Sequence, residues 1–141
     1  MEEIVKLPHV ITITKTLNGL DWPKVPKKFK DLLCVYYCFY KPIGIIKVGQ
    51  SVNMCERFGG YESAVNIYPK IPNNGSWRTV HKIYDLLKVG ETIEIYARTF
   101  FNKKKYEIHE GKRVYLIVDL KRIEKIEKNK YKKTLLLPWE D

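Results

Sequence analysis

The sequence predicts one α/β domain of the α+β type, with a small, mainly antiparallel central sheet flanked by helices. A length of 141 residues suits a single core that needs neither disulfides nor metals. Several segments alternate apolar and polar residues as strands do, and two others repeat apolar residues every three or four positions. We expect an N-terminal strand and arm over residues 1–31, the core over 33–100, and an extra hairpin with the last helix over 101–141.

The N-terminal strand is predicted over residues 10–15 (VITITK), which alternate in the period of a half-buried strand. Asn18-Gly19 predicts a turn after it. Residues 21–29 contain two prolines and predict an arm that leads into the domain. Trp22 is expected to anchor that arm on the body of the protein, and contact of its indole with a base is the alternative.

The core is predicted to begin with two strands, residues 33–40 and 45–49, joined by a turn with Pro and Gly. Ser51 or Asn53 can accept amide hydrogen bonds at the start of a following helix, which runs towards Phe58. This hairpin and helix are expected to be the centre of the domain.

The second half of the chain contains two more predicted helices. The first covers residues 77–88 and is followed by a strand over 92–99. A hairpin over 106–119 leads into the last helix, residues 120–130. We expect Ile123 and Ile126 of that helix to face inward and its lysines to face outward.

Composition narrows the functional class. The chain has 26 Lys and Arg against 16 Asp and Glu, a net charge of +10, which favours a polyanionic partner. A lysine-rich solvated surface is the alternative. The apolar runs are too short to cross a bilayer and the start has no signal-peptide pattern, so no membrane partner and a cytoplasmic location are expected. The three cysteines lack a metal-site spacing and are expected to be structural.

Residues 34–61 combine groups suited to a phosphodiester. Strand residues alternate faces and helix residues four apart share one, so four side chains are expected to converge on one surface: Tyr36, Lys47, Arg57 and Tyr61. A planar, permanently charged guanidinium such as that of Arg57 can bridge two phosphate oxygens. Lys47 is expected either to take a proton or to bind phosphate as a cation. An amphipathic strand with a solvated lysine, and a surface arginine, are the alternatives.

These residues resemble the GIY-YIG endonucleases. Cys34-Val35-Tyr36 and Lys47-Val48-Gly49 stand where that family has its two tripeptides, Arg57 stands where it has a helical arginine, and Tyr61 where it has a histidine or tyrosine. Cys34 replaces the first glycine. Lys47 replaces the second tyrosine, as in a restriction-endonuclease branch of the family.

The resemblance implies a divalent-metal-dependent DNA endonuclease in which Tyr36 and Lys47 prepare water and Arg57 stabilises the phosphate. It also implies one Mg²⁺ held by a glutamate of the last helix, with Glu127 as first choice and Glu124 as second. Pro138-Trp139 resembles the family's closing Pro-Trp-Asn, with Glu140 in place of the asparagine. An ion pair of Glu124 with Lys128 is the alternative to a metal ligand.

Double-stranded DNA is the expected partner, and a double-strand cut at a symmetric site implies a homodimer as an expectation. The predicted backbone contacts are five basic residues: Arg78, Lys82, Lys103, Lys104 and Lys105. Because several motif residues have changed, the rival prediction is a nucleic-acid-binding module that keeps the scaffold without hydrolysis.

Overall fold

The computed structural model of the chain describes residues 2–59 and 75–136. The described elements follow one another along the chain as α1 (Glu2–Val5), β1 (His9–Thr16), β2 (Gly19–Asp21), a 3₁₀ turn (Lys27–Phe29), β3 (Leu32–Tyr40), β4 (Gly44–Ser51), α2 (54–59), α3 (Gly75–Leu86), β5 (Thr92–Asn102), β6 (Tyr106–His109), β7 (Lys112–Tyr115) and α4 (Leu120–Lys130). From β3 onward, this order matches the predicted sequence of strands and helices.

A five-stranded antiparallel sheet forms the centre of the described part, in the order β2-β1-β5-β3-β4. The predicted fold class, α+β with an antiparallel central sheet, is confirmed. β5 lies between β1 and β3 and so joins the N-terminal strand to the central hairpin. Among the described strands, β6 and β7 pair only with each other, as the predicted extra hairpin.

The N-terminal region differs from the prediction, because α1, β2 and the 3₁₀ turn were not predicted. β2 begins at Gly19 and pairs back on β1, so the arm begins only after Asp21. Trp22 is buried in the core, which confirms its expected role as the anchor of the arm.

The sheet has two differently covered faces. Residues directly opposite in an antiparallel pair share a face, so Tyr36 lies with Gly49 and Tyr37 lies with Val48. We call these the Tyr36 face and the Tyr37 face. The Tyr36 face packs against apolar residues of α2 and α3, namely Met54, Phe58, Val80 and Ile83. The Tyr37 face packs against residues of α1 and α4, namely Ile4, Leu120 and Ile123.

Helix α4 has the predicted bounds but not the predicted inner stripe. Asp119 caps it by accepting a hydrogen bond from the amide of Arg122, at 3.1 Å. Ile123 packs inward, but Ile126 is 56% exposed and its predicted burial was wrong. Glu127 is buried in its place, at 3% exposure. With 3.6 residues per turn, position 127 continues the stripe of Leu120 and Ile123, whereas 126 turns away from it.

Helices α2 and α3 both start and end near predicted signals. The Oδ1 atom of Asn53 accepts a hydrogen bond from the amide of Glu56, so Asn53 rather than Ser51 caps α2. Helix α3 lies two residues before its predicted bounds, and Gly90 follows it with a φ of +91°. Among the described residues, no helix is both long and apolar enough to span a bilayer.

Candidate active site

The ring of Tyr36 lies across Gly49 on the neighbouring strand. The two residues are direct partners in the β3–β4 ladder. A Cβ atom built on Gly49 would overlap the Cζ, Oη and Cε2 atoms of Tyr36, so no larger residue fits there while the ring stays in place. The glycine of the Lys47-Val48-Gly49 tripeptide therefore gives the tyrosine of the first tripeptide its position.

Tyr36 and Lys47 line the same small pocket on the Tyr36 face. Its other lining side chains come from the arm, the sheet and both neighbouring helices, and they are Ile13, Trp22, Cys38, Phe58, Thr79, Ile83 and Ile95. Lys47 is only 8% exposed, although the apolar residues beside it in the chain could form a buried strand without a lysine. Tyr36 and Lys47 therefore lie on one face of the sheet, as strand alternation predicts.

The pocket is held by aromatic packing. The Tyr36 and Phe58 rings meet edge to face with their centroids 5.1 Å apart. The centroids of the Phe58 and Trp22 rings are 6.4 Å apart. Tyr36 is fully buried. The arm, β3 and α2 are thereby fixed to one another around the Lys47 side chain.

Arg57 lies beside this pocket rather than in its wall. It precedes Phe58 on α2, and its amide donates to the carbonyl of the cap residue Asn53 at 3.0 Å. Arg57 is an exposed residue. Tyr36, Lys47 and Arg57 thus come from elements that meet at Phe58, with two of the three groups in the pocket and the third at the surface.

Three other predicted positions fall wholly or partly outside the described residues. Tyr61 and the closing Pro138-Trp139 are not within the described ranges. Arg78 lies in α3 by its backbone, and its side chain is not described. Lys82, one turn further along α3, is half-buried.

Glu127 lies on the Tyr37 face, across the sheet from Tyr36 and Lys47. Its Oε1 atom accepts a hydrogen bond of 2.6 Å from the Tyr37 hydroxyl and lies 3.6 Å from the Arg98 guanidinium. Its Oε2 atom lies 3.5 Å from the Lys130 amine. Burial, and then the hydrogen bond to this carboxylate, raise the pKa of Tyr37 above its ordinary value of 10.0.

The structure therefore does not bring Glu127 together with Tyr36, Lys47 and Arg57. The reason is the position of α4, because its inner face packs on the Tyr37 face of the sheet. Glu124 forms an ion pair with Lys128 at 3.4 Å, which is the predicted alternative to a role as metal ligand. Within residues 2–59 and 75–136, no group of three His, Cys, Asp or Glu side chains is arranged to hold a metal ion.

The basic turn after β5 is partly neutralised by an acid of the chain. Lys103 and Lys104 lie 3.1 Å and 3.6 Å from the Asp31 carboxylate. The hydrogen bond from Lys103 is the main cause that lowers the pKa of Asp31. Lys105 is exposed. The predicted DNA contacts of this turn would therefore compete with an internal ion pair.

The cluster of Tyr37, Arg98 and Glu127 is a feature that sequence inspection missed. The Tyr37 side chain is fully buried in the core. The hydroxyl of a buried tyrosine needs a hydrogen-bond partner. This requirement is the signal that could have predicted a polar partner such as Glu127 on the Tyr37 face.

Comparison with known proteins gives one structural similarity. Neither a search of protein-family models nor a search of curated proteins finds a match to the sequence. Among solved structures, the chain is similar to "Restriction endonuclease HPY188I in complex with product DNA", with 20% sequence identity and a TM-score of 0.49. The alignment covers 94% of this chain and 77% of that chain.

Proposed function

We propose that the protein is an endonuclease that hydrolyses DNA phosphodiester bonds and requires a divalent cation, Mg²⁺. The observation that supports this proposal best is the shared pocket of Tyr36 and Lys47, bordered by the helix that carries Arg57. Hydrolysis needs a positioned water and stabilisation of the charge that develops on the phosphate oxygens. The resemblance of residues 34–61 to GIY-YIG nucleases suggests the same chemistry.

Arg57 is proposed to bind the scissile phosphate. Its exposed position on α2 lets a guanidinium reach a duplex at the surface, and the +10 charge of the chain attracts that duplex. Two N–H donors in one plane can contact two phosphate oxygens at once. Arg57 would therefore hold the phosphate at the surface of α2, beside the pocket.

Tyr36 and Lys47 are proposed to position the attacking water. Both line the pocket, and Tyr36 is held by Gly49 on one side and Phe58 on the other. A group fixed in this way keeps its orientation during the reaction, which is where positioned catalytic groups gain their effect. Tyr61 remains a predicted fourth member of the site.

The late glutamates do not fit a cation held beside this pocket. Glu127 faces the other side of the sheet, where a phenol, a guanidinium and an amine already surround its oxygens. Glu124 lies on the same helix and pairs with Lys128. Tyr36, Lys47 and Arg57 would therefore act without a metal ligand among the late glutamates, and the comparison of Mg²⁺ with excess chelator tests the Mg²⁺ requirement.

The position of Glu127 favours a second candidate function. A scaffold that binds DNA without cutting it would keep Arg57 and the positive charge but would need no carboxylate near Lys47. In this case the buried Tyr36 and Lys47 would serve the packing of β3, β4 and α2. The two candidates differ in hydrolysis and agree in DNA binding.

The test incubates the purified chain with supercoiled plasmid, in Mg²⁺ and in excess chelator, and measures DNA binding in parallel. The endonuclease proposal expects nicking in Mg²⁺ only, reduced at least about 100-fold in Arg57→Ala. Arg122→Ala is the matched control, because Arg122 is an exposed helical arginine on α4. Binding that persists without nicking would establish the second candidate and overturn the first.

A further inference from the structure

The carboxylate of Asp31 lies among donors from two other parts of the chain. Its Oδ1 atom lies 3.1 Å from the Lys103 amine and accepts a hydrogen bond of 3.4 Å from the Nδ2 atom of Asn53. Its Oδ2 atom lies 3.6 Å from the Lys104 amine. The Asp31 side chain is 16% exposed, whereas that of Lys104 is 76% exposed. The acid is therefore the enclosed partner, and the lysine amines are open to a ligand from solvent.

The central sheet brings Asp31 to the basic turn. Leu32 and Asn102 are partners in the β3–β5 ladder. Asp31 precedes β3 and Lys103 follows β5, so the ladder places the two residues side by side. The amide of Lys103 also donates to the carbonyl of Asp31 at 2.8 Å. The carboxylate is thus held next to the turn by the backbone as well as by its own contacts.

The backbone of Asp31 has an uncommon conformation. Its φ of +56° lies in the left-handed region, where asparagine and aspartate are the best tolerated residues after glycine. Conformations of this kind persist where surrounding contacts hold them, and they cluster at functional sites. Asparagine would suit this backbone as well as aspartate does. The negative charge of Asp31 is therefore a separate feature, and it acts on the two lysines.

We propose that Asp31 is an autoinhibitory contact, an internal carboxylate that takes the place of a DNA phosphate on Lys103 and Lys104. Both ligands offer anionic oxygens to the same two amines, so a phosphate gains their full charge only by displacing the carboxylate. Binding through this turn is thereby weakened for any polyanion that cannot displace it. The inference rests on the DNA binding of the proposed function and not on hydrolysis.

The test measures the affinity of the full chain for a short DNA duplex over a range of salt concentrations, in excess chelator. Asp31→Asn keeps the shape of the side chain and removes its charge. We expect it to bind the duplex at least about fivefold more tightly than the wild type in low salt, because a unit charge this close to an amine amounts to about that factor even in water. The slope of log K against log salt should steepen by about 1, as for one additional phosphate contact.

Asp21→Asn is the matched control, because Asp21 is an exposed acid at the far end of the sheet. Asp21 and Thr92 both pair with Thr14, and Thr92 begins β5, whereas the basic turn follows the end of that strand. The control changes the net charge equally and should leave the affinity nearly unchanged, because salt screens charges over this distance. An equal gain in both variants would overturn the proposal, since it would show an effect of net charge alone.

The double variant Lys103→Gln/Lys104→Gln decides whether Asp31 acts through these lysines. In this background we expect Asp31→Asn to raise the affinity less than about twofold, because the two anions no longer share a pair of amines. A full fivefold gain there would contradict the proposal.

Heparin, a polyanion without phosphodiester bonds, separates this inference from the proposed function. If Asp31→Asn gains affinity for heparin while no form of the protein binds the duplex, Asp31 still blocks the two lysines and the proposed function fails. If Asp31→Asn gains affinity for neither polyanion, the inference is overturned, whatever the plasmid assay shows.

Discussion

The two faces of the sheet use adjacent tyrosines in opposite ways. Tyr36 and Tyr37 are both fully buried, yet Tyr36 packs on a glycine and lines a pocket with Lys47, whereas Tyr37 donates to the buried carboxylate of Glu127. One step of strand alternation separates them. The comparison teaches that the predicted site divides between faces: the phenol and amine are on one, and the first-choice metal ligand is on the other.

The largest expected effect tests whether the Tyr36 face carries the chemistry. Lys47→Met keeps the volume of the buried side chain and removes the amine, so we expect the protein to fold and plasmid nicking to fall about 100-fold or more. Lys41→Met, at an exposed position in the turn after β3, is the control and should nick like the wild type. Equal activity of the two variants would show that the pocket amine takes no part in hydrolysis.

The packing of Tyr36 on Gly49 gives the next largest effect. In Gly49→Ala the new methyl group would overlap atoms of the Tyr36 side chain. Because such overpacking is destabilising, we expect the free energy of unfolding to fall by about 2–3 kcal/mol. Urea unfolding measures this value. Gly59→Ala is the comparison, because a Cβ there has no atom within 4 Å and should cost little. A Gly49→Ala protein as stable as the wild type would mean that the ring can move aside.

The Tyr37 face is tested by Glu127→Leu. The change leaves the Tyr37 hydroxyl buried without its acceptor, and we expect a loss of about 1–3 kcal/mol in the free energy of unfolding. The ion pair with the half-exposed Arg98 adds little to this value, because solvent screens it. Glu124→Leu removes an ion pair with the half-exposed Lys128 on the same helix and should cost about 0.5 kcal/mol or less.

The same two variants decide where a metal ligand lies. If Glu127 is structural, nicking per folded molecule should be preserved in Glu127→Leu. Loss of nicking at unchanged stability would assign a metal to the Tyr37 face and reverse the comparison of the two faces.

The smallest effect is a pH dependence that comes from Tyr37. Its pKa is raised on folding, so the protonated phenol contributes stability that is complete below the unfolded value of 10.0 and is lost as the pH rises above it. Urea midpoints between pH 8 and 11 should fall with pH in the wild type. In Tyr37→Phe the fall should be shallower, although the variant starts from a lower midpoint. Parallel curves would contradict the assignment.

Much of the fold could be predicted because its signals are local. The alternation of residues 10–15, the turn before Gly44 and the periodicity of α4 each depend on near neighbours along the chain, and all appear in the structure. β2 escaped prediction because three residues are too short for a period to be visible, and its pairing with β1 depends on the turn at Asn18-Gly19. The exposed Ile126 shows that the apolar pattern of a helix does not always mark its inner stripe.

The pocket and the opposing carboxylate show the boundary between the two kinds of information. Alternation along β3 and β4 determined by sequence alone that Tyr36 and Lys47 can share a face, because the two-residue period of a strand is local. Only the tertiary structure decided that α4 covers the other face and turns Glu127 towards Tyr37. The rotation of a helix about its axis on a sheet depends on packing with residues that are distant in the sequence. A buried carboxylate is stable only where hydrogen-bond donors surround it.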